Sequence, residues 1–339
     1  MLHKNTARGF LYAIIHFSVE VASFYFLFSR ISASPLWWAL ALLFDAAAFL
    51  PQGIIGTVTD RYPKYNIGLT GAVTMLLGLV TPADIPALCL IALGNAMIHV
   101  SGANHTLRDS GGKITPNAIF VGGGSFGVIT GQLLGGIGRD WLLLIPIGLL
   151  LLSAVTMVVI QKTNPSADKP ASLDICADKS DGVVVFCTFF AVAVRGYIAY
   201  AIPTEWNKTV IQTVALFVCM GIGKMLGGIL CDRIGFRRVT AISLLGSLPF
   251  LLAGNTNMAL SLTGVALFSM TMSVTVAILV SRFPHQPGFA FGITTTGLFF
   301  GTVPAFFVRP QTLPAHQIAV LVLSAAALPA IITCIKKGK

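Results

Sequence analysis

Twelve apolar stretches of 15 to 24 residues follow one another through the 339-residue chain, separated by mostly short polar gaps. They run from Phe10 to Arg30, Trp37 to Val58, Ile67 to Thr81, Ile85 to Leu107, Pro116 to Gly138 and Trp141 to Gln161. After a polar segment come Gly182 to Ala201, Thr209 to Cys231, Val239 to Gly254, Met258 to Ser281, Gly288 to Val308 and Leu313 to Ile335. At about 1.5 Å per residue, some 20 residues of helix cross a hydrocarbon layer. Only helices satisfy their backbone within such runs, which are too long and continuous for the alternating strands of a barrel. With 55% hydrophobic and 10% charged residues and a mean hydropathy of +0.84, a soluble fold has nowhere to bury these side chains. The expected fold class is an all-α membrane protein with twelve transmembrane helices in two pseudo-symmetric six-helix bundles.

A repeat divides the chain into those bundles. Gly56-Thr57-Val58-Thr59-Asp60-Arg61 is echoed by Gly228-Ile229-Leu230-Cys231-Asp232-Arg233, the glycines and the aspartates each lying 172 residues apart. Such internal duplication implies two homologous halves. The expected domains are residues 1–161, a linker over 162–181 holding Asn164-Pro165 and Lys169-Pro170, and residues 182–339. The net charge of +10 does not indicate a nucleic-acid surface, because the basic residues fall singly in the gaps. Their distribution is asymmetric. One set of gaps holds residues such as Arg61, Lys64, Arg108, Lys113, Lys162, Lys169, Arg233, Arg237, Arg282 and Lys336, whereas the other holds only Arg30, Arg139, Lys208 and Arg309. By the positive-inside rule both termini are cytoplasmic, and both motif copies lie in cytoplasmic loops. The first apolar run carries His16 and Glu20 and lacks a small-residue cleavage site, so it is read as a retained span. Six cysteines without a CxxC pair indicate neither a disulfide framework nor a zinc site, and no His or Cys cluster at ligand spacing points to any metal.

Twelve spans, a cytoplasmic middle linker and paired G-x-x-x-D-R loops resemble the major facilitator superfamily. That resemblance implies that Gly56, Asp60, Arg61, Gly228, Asp232 and Arg233 form a cytoplasmic gate that holds the bundles together while the outside is open. Lys224, eight residues before Asp232, is placed with the gate. Over roughly the first 140 residues the chain resembles the fosmidomycin-resistance type of drug exporter. The stretches that carry this are His16-x-x-x-Glu20, Thr59 to Pro63, Gly94 to His99, Ser110 to Lys113 and Gly122 to Gly127. Val100, Ser101 and Asn104 depart from that pattern after the span-four histidine. Gly127-x-x-x-Gly131-Gln132-x-x-Gly135-Gly136 resembles the antiporter signature of the superfamily, with Gln132 in place of proline, and its glycines are expected at a helix-packing face.

Ionisable residues within spans are costly in hydrocarbon and are functional candidates for that reason. His16 and Glu20 share a face of span one, and Glu20, among Phe17, Phe24 and Tyr25, is the candidate proton carrier, with His16 tuning it. Asp45 is a second buried acid, which either joins the proton pathway or pairs with Arg30. His99, His105, Arg195, Glu20 and Tyr25 are the candidate substrate contacts. Arg195 supplies a fixed cation suited to a carboxylate, phosphonate or phosphate, or a counter-ion to Glu20. The chain has no G-x-x-x-x-G-K-[ST] motif, so the expected energy source is a proton gradient with no cofactor. The function expected is proton-coupled export of a small organic compound or drug by a monomer in the cell (inner) membrane. Its partners are the small-molecule substrate, protons and the bilayer, with no nucleic acid. The alternatives are an uptake symporter of a small organic anion and a lipid or lysolipid translocator. An enzyme is not expected, because Glu, His and Arg are dispersed over spans one, four and seven with no nucleophile and base pattern.

Overall fold

The computed structural model describes residues 2–163, 169–201, 204–308 and 312–335. Among these, fourteen α-helices make twelve crossings. The first half comprises α1 (Leu2–Phe26), α2 (Trp37–Phe49), α3 (Gln52–Arg61), α4 (Ile67–Val80), α5 (Asp84–Arg108), α6 (Thr115–Gly136) and α7 (Leu144–Thr163). The second comprises α8 (Asp181–Ala201), α9 (Val210–Ile234), α10 (Phe236–Ala253), α11 (Met258–Ser269), α12 (Thr271–Arg282), α13 (Pro287–Phe307) and α14 (Leu313–Cys334). Eleven spans are long and apolar enough to cross a membrane, and α4, with 14 residues, is the short twelfth. The chain is a multi-pass membrane protein.

Two expected spans are broken. The second divides at Leu50-Pro51 into α2 and α3, because proline offers no N–H to the helix and its ring crowds the preceding turn. The tenth divides at Met270 into α11 and α12. Residues 164–168, Arg309 and Lys336 to Lys339, used above for the linker and the charge asymmetry, lie outside the described residues.

Helix starts follow local chemistry at many crossings. Asn66 accepts from the Leu69 amide at 2.9 Å to cap α4, Asn257 and Thr312 do the same for α11 and α14, and Thr209 with Gln212 forms a capping box on α9. Helices α6 and α13 begin with proline in the first turn but receive no bond from their own preceding side chains. Their free amides are capped from the opposite half.

Glycines set the helix spacing within each half. A methyl group on Gly123, Gly127, Gly131 or Gly135 of α6 would press on the main chain of α1 at Ala13, Phe17, Val21 or Tyr25. On the other side, Gly196, Gly297 and Gly301 bring α8 and α13 together. Gly136 meets nothing within 4 Å and Gln132 is half-buried, so the expected packing face stops at Gly135. All six cysteines are free thiols.

Candidate functional site

The interior site begins with the pairing of α1 and α6. Gly124 leaves room for the His16 ring, and Gly127 for Glu20, whose Cβ would stand 2.7 Å from a methyl added there. The expected His16–Glu20 pair is present, with Nε2 3.4 Å from Oε1. The closer partner comes from α5: His99 Nε2 lies 3.1 Å from the same oxygen. The two imidazole rings stand edge to face at 4.3 Å between centroids, and both histidines are buried. Asn95, one turn before His99, donates to Ser23 Oγ at 2.9 Å and ties α5 to α1.

The outer ring nitrogens decide what this cluster can do. His16 Nδ1 is 2.8 Å from the Phe120 carbonyl oxygen and His99 Nδ1 is 2.9 Å from that of Asn95. A carbonyl only accepts, so each ring carries its proton on Nδ1 and a neutral ring has only a lone pair left at Nε2. An ionised carboxylate likewise only accepts. Three lone-pair atoms therefore converge, and neither inner contact becomes a hydrogen bond until a proton enters. One additional proton closes one contact and two close both. The three ligand atoms lie within 4.8 Å of one another, forming a His–Glu–His cluster that the linear spacing does not display.

The other interior candidates separate. Asp45 does not pair with Arg30, which is held by Asp84 Oδ1 at 2.6 and 3.0 Å and by the carbonyls of Thr81 and Pro82. Asp45 instead shares an electrostatic neighbourhood with Glu20 and Tyr200. His105 stacks on Tyr12 at 5.5 Å, away from the His16–Glu20–His99 cluster. Tyr25 sits farther along α1, near Ser29 and Asp140. Arg195 lines a cavity of about 560 Å³ whose walls come from α8 to α13 and the segment after α8. The cavity thus belongs to the second half. Lys224 also lines it, with Nζ donating to Ser125 Oγ of α6 at 2.9 Å. Lys224, expected at the gate, stands on α9 about two turns before Asp232, with its head in the interior.

The two motif aspartates supply the caps that α6 and α13 lack. Asp60 accepts from the Gly288 and Phe289 amides at 3.1 and 2.9 Å, capping α13 from the first half. Asp232 accepts from the Ile114 and Thr115 amides at 3.0 and 2.9 Å and from the Thr115 hydroxyl at 2.5 Å, capping α6 from the second. Each carboxylate meets the positive end of a helix dipole across the interface. Gly56 and Gly288 allow the close approach, since a methyl on Gly56 would run into the Gly288 main chain. Gly228 packs against Ala118 in the second copy.

Neither carboxylate is paired with the arginine that follows it in the motif. Arg61 and Arg233 are exposed, and Arg61 lies over the Tyr62 ring at 5.8 Å. The cation on Asp60 is Arg108 of α5, at 3.1 Å, and Asn104 donates to the same carboxylate at 2.6 Å. Arg108 further donates to the carbonyls of Lys169 in the linker and His285 in the second half. The residues one repeat later are Val280 and Val276, so the Asp232 contact has no cation from those positions. The position of Asn104 and Arg108 on the last turns of α5, beside the motif loop, was the signal available in the sequence. The linker lies over this face: Gly112, at φ +90°, donates to Ser172 O at 3.0 Å, and Ala171 donates to Pro284 O at 2.7 Å.

Of the two pieces of the second crossing, α13 packs more extensively against the motif-bearing α3 than against α2. The two halves are therefore closed on the basic side. The whole chain matches solved structures of this shape. FucP, crystallised in the outward conformation, superposes with a TM-score of 0.63 over 96% of this chain and 98% of its own, at 14% identity. The chain has the fold of a major facilitator superfamily transporter. A bacterial homologue of the iron transporter ferroportin, in its outward-facing state, matches at a TM-score of 0.60 and 13% identity over 97% of this chain and 98% of that one.

The sequence is similar to the fosmidomycin resistance protein of Escherichia coli (strain K12), 26% identical over 244 residues, 63% of this chain. It is also 28% identical to the uncharacterised MFS-type transporter YfnC of Bacillus subtilis (strain 168) over 309 residues, 77% of this chain. The matched region spans 60% of the first relative's length and 73% of the second's. No protein-family model matches the sequence.

Proposed function

We propose that this chain is a proton-coupled secondary transporter that exports a small organic compound by alternating access, with His16, Glu20 and His99 as its proton store. The carrying observation is the convergence of three lone-pair atoms in an interior where both outer nitrogens are already bound to carbonyls. Such a cluster gains or loses one or two protons as a unit. A change of charge there acts on Lys224, which feels both Glu20 and Arg195, and so on the cavity in the second half. The similarity to the fosmidomycin resistance protein supports export. In this reading the basic side is cytoplasmic, with both termini on it, and the Asp60 and Asp232 caps release when the transporter opens inward.

The decisive experiment uses proteoliposomes with an imposed proton gradient and the Glu20→Gln variant. Proton-driven flux is expected to be lost while substrate counterflow remains; full proton-driven flux in the variant would remove Glu20 from the mechanism. An uptake symporter of a small organic anion uses the same cluster, and the cations at Arg195 and Lys224 favour that cargo. The sign of the gradient that drives accumulation in oriented vesicles separates it from export.

A further inference from the structure

We infer that the cavity of the second half is an anion-binding site, and that the cargo is an organic anion with an apolar body, held through its carboxylate, phosphonate or phosphate by Arg195 and Lys224. This inference deepens the transporter reading and rests on it only for the word cargo.

Arg195 is 9% exposed, and its Nη1 is buried with no hydrogen-bond acceptor among the described residues. Leaving a buried charged donor unpaired is costly, so a guanidinium in that condition calls for an acceptor from outside the chain. The second cation in the wall, Lys224, bonds to a neutral hydroxyl, that of Ser125, and to no carboxylate among the described residues. No aspartate or glutamate lines the cavity among the described residues, so the two positive charges are not neutralised from its walls. The remaining surface is mainly apolar, with Phe217, Met220, Leu251, Phe268 and Met272 around the pair. A volume of about 560 Å³ suits a ligand of drug size, with one charged end and a hydrocarbon or aromatic body.

The geometry also separates the two chemistries by half. The proton store is built from α1 and α5, and the anion site from α8 to α13. Lys224 bridges them, because it lines the cavity yet bonds to α6, the helix whose Phe120 carbonyl orients His16. Anion binding and proton binding are thereby linked through one side chain at the interface.

The test uses the full chain in phosphatidylcholine nanodiscs and four probes of equal chain length: n-octylphosphonate, octanoate, octylammonium and octanol. Both anions are expected to raise the melting temperature, and the cation and the alcohol are not. Arg195→Gln should abolish the rise. Arg195→Lys should keep it with roughly tenfold weaker binding, since a point charge replaces the fork. Should Arg195→Gln fail to fold, Lys224→Met carries the same expectation with a smaller loss. Equal rises for octylammonium and octylphosphonate, no rise with either anion, or unchanged octylphosphonate affinity in both variants would overturn the site. Repeating the titration in phosphatidylglycerol nanodiscs identifies the source: competition by the lipid assigns the site to a headgroup, and an undiminished response assigns it to a free anion.

The two readings fail separately. Octylphosphonate binding that depends on Arg195, without proton-driven flux, leaves the anion site standing and removes the transporter reading. Proton-driven flux of a neutral or cationic compound that survives Arg195→Gln does the reverse.

Discussion

Neutralising Asp60 and Asp232 is expected to give unequal results, and the inequality follows from their partners. In Asp60→Asn, Arg108 keeps its place with a side chain 5% exposed but loses the carboxylate opposite it. Breaking a buried ion pair costs roughly 3–5 kcal/mol. Arg108 retains Asn104 Oδ1 at 2.8 Å, Lys169 O at 2.6 Å and His285 O at 3.3 Å, so part of that cost is offset. Some cost returns from the weakened cap on α13, leaving a loss of about 2–3 kcal/mol for the state closed on the basic side. At about 1.4 kcal/mol per tenfold, the closed-to-open ratio should fall roughly 30- to 150-fold. Asp232→Asn removes the charge and one of the two acceptor oxygens shared by two amides and a hydroxyl, with no arginine left behind, a loss of about 1–1.5 kcal/mol and roughly tenfold. Spin labels at the exposed Lys64 and Arg238, in a background freed of native cysteines, report the separation of the halves by pulsed dipolar spectroscopy. Asp60→Asn should shift more of the distance distribution to the longer spacing than Asp232→Asn does. Equal shifts, or a larger one from Asp232→Asn, would refute the assignment of Arg108 as the partner that makes the first contact stronger.

Three further outcomes are expected. Gly131→Val places a side chain where Val21 O already lies 2.5 Å from an added Cβ, and overpacking of this kind should cost about 1–3 kcal/mol and lower the melting temperature. Gly136→Ala, with nothing within 4 Å, should leave the melting temperature equal or slightly higher, and the pair of variants separates packing from glycine content. His99→Asn should reduce proton-driven flux more than His16→Asn, because His99 makes the shorter contact to Glu20, and parallel flux assays in proteoliposomes rank the two.

The sequence by itself determined the medium and the architecture. Twelve apolar runs leave helices as the only way to pair the backbone in hydrocarbon, and the repeated Asp60 and Asp232 loops impose two related halves. It also marked Glu20, His16 and Arg195 as ionisable groups in the wrong solvent, and their periodicity placed Glu20 and His16 together. Only the tertiary structure brought His99 to Glu20, moved Lys224 from the gate to the cavity, and gave Asp60 to Arg108 in place of Arg61. The reason is physical: spacing along one helix fixes a face, whereas the approach of two helices is set by which glycines admit a neighbouring backbone. Gly123 to Gly135 fix α1 against α6, Gly56 and Gly288 fix α3 against α13, and the side chains that meet are those left facing one another once the backbones have closed.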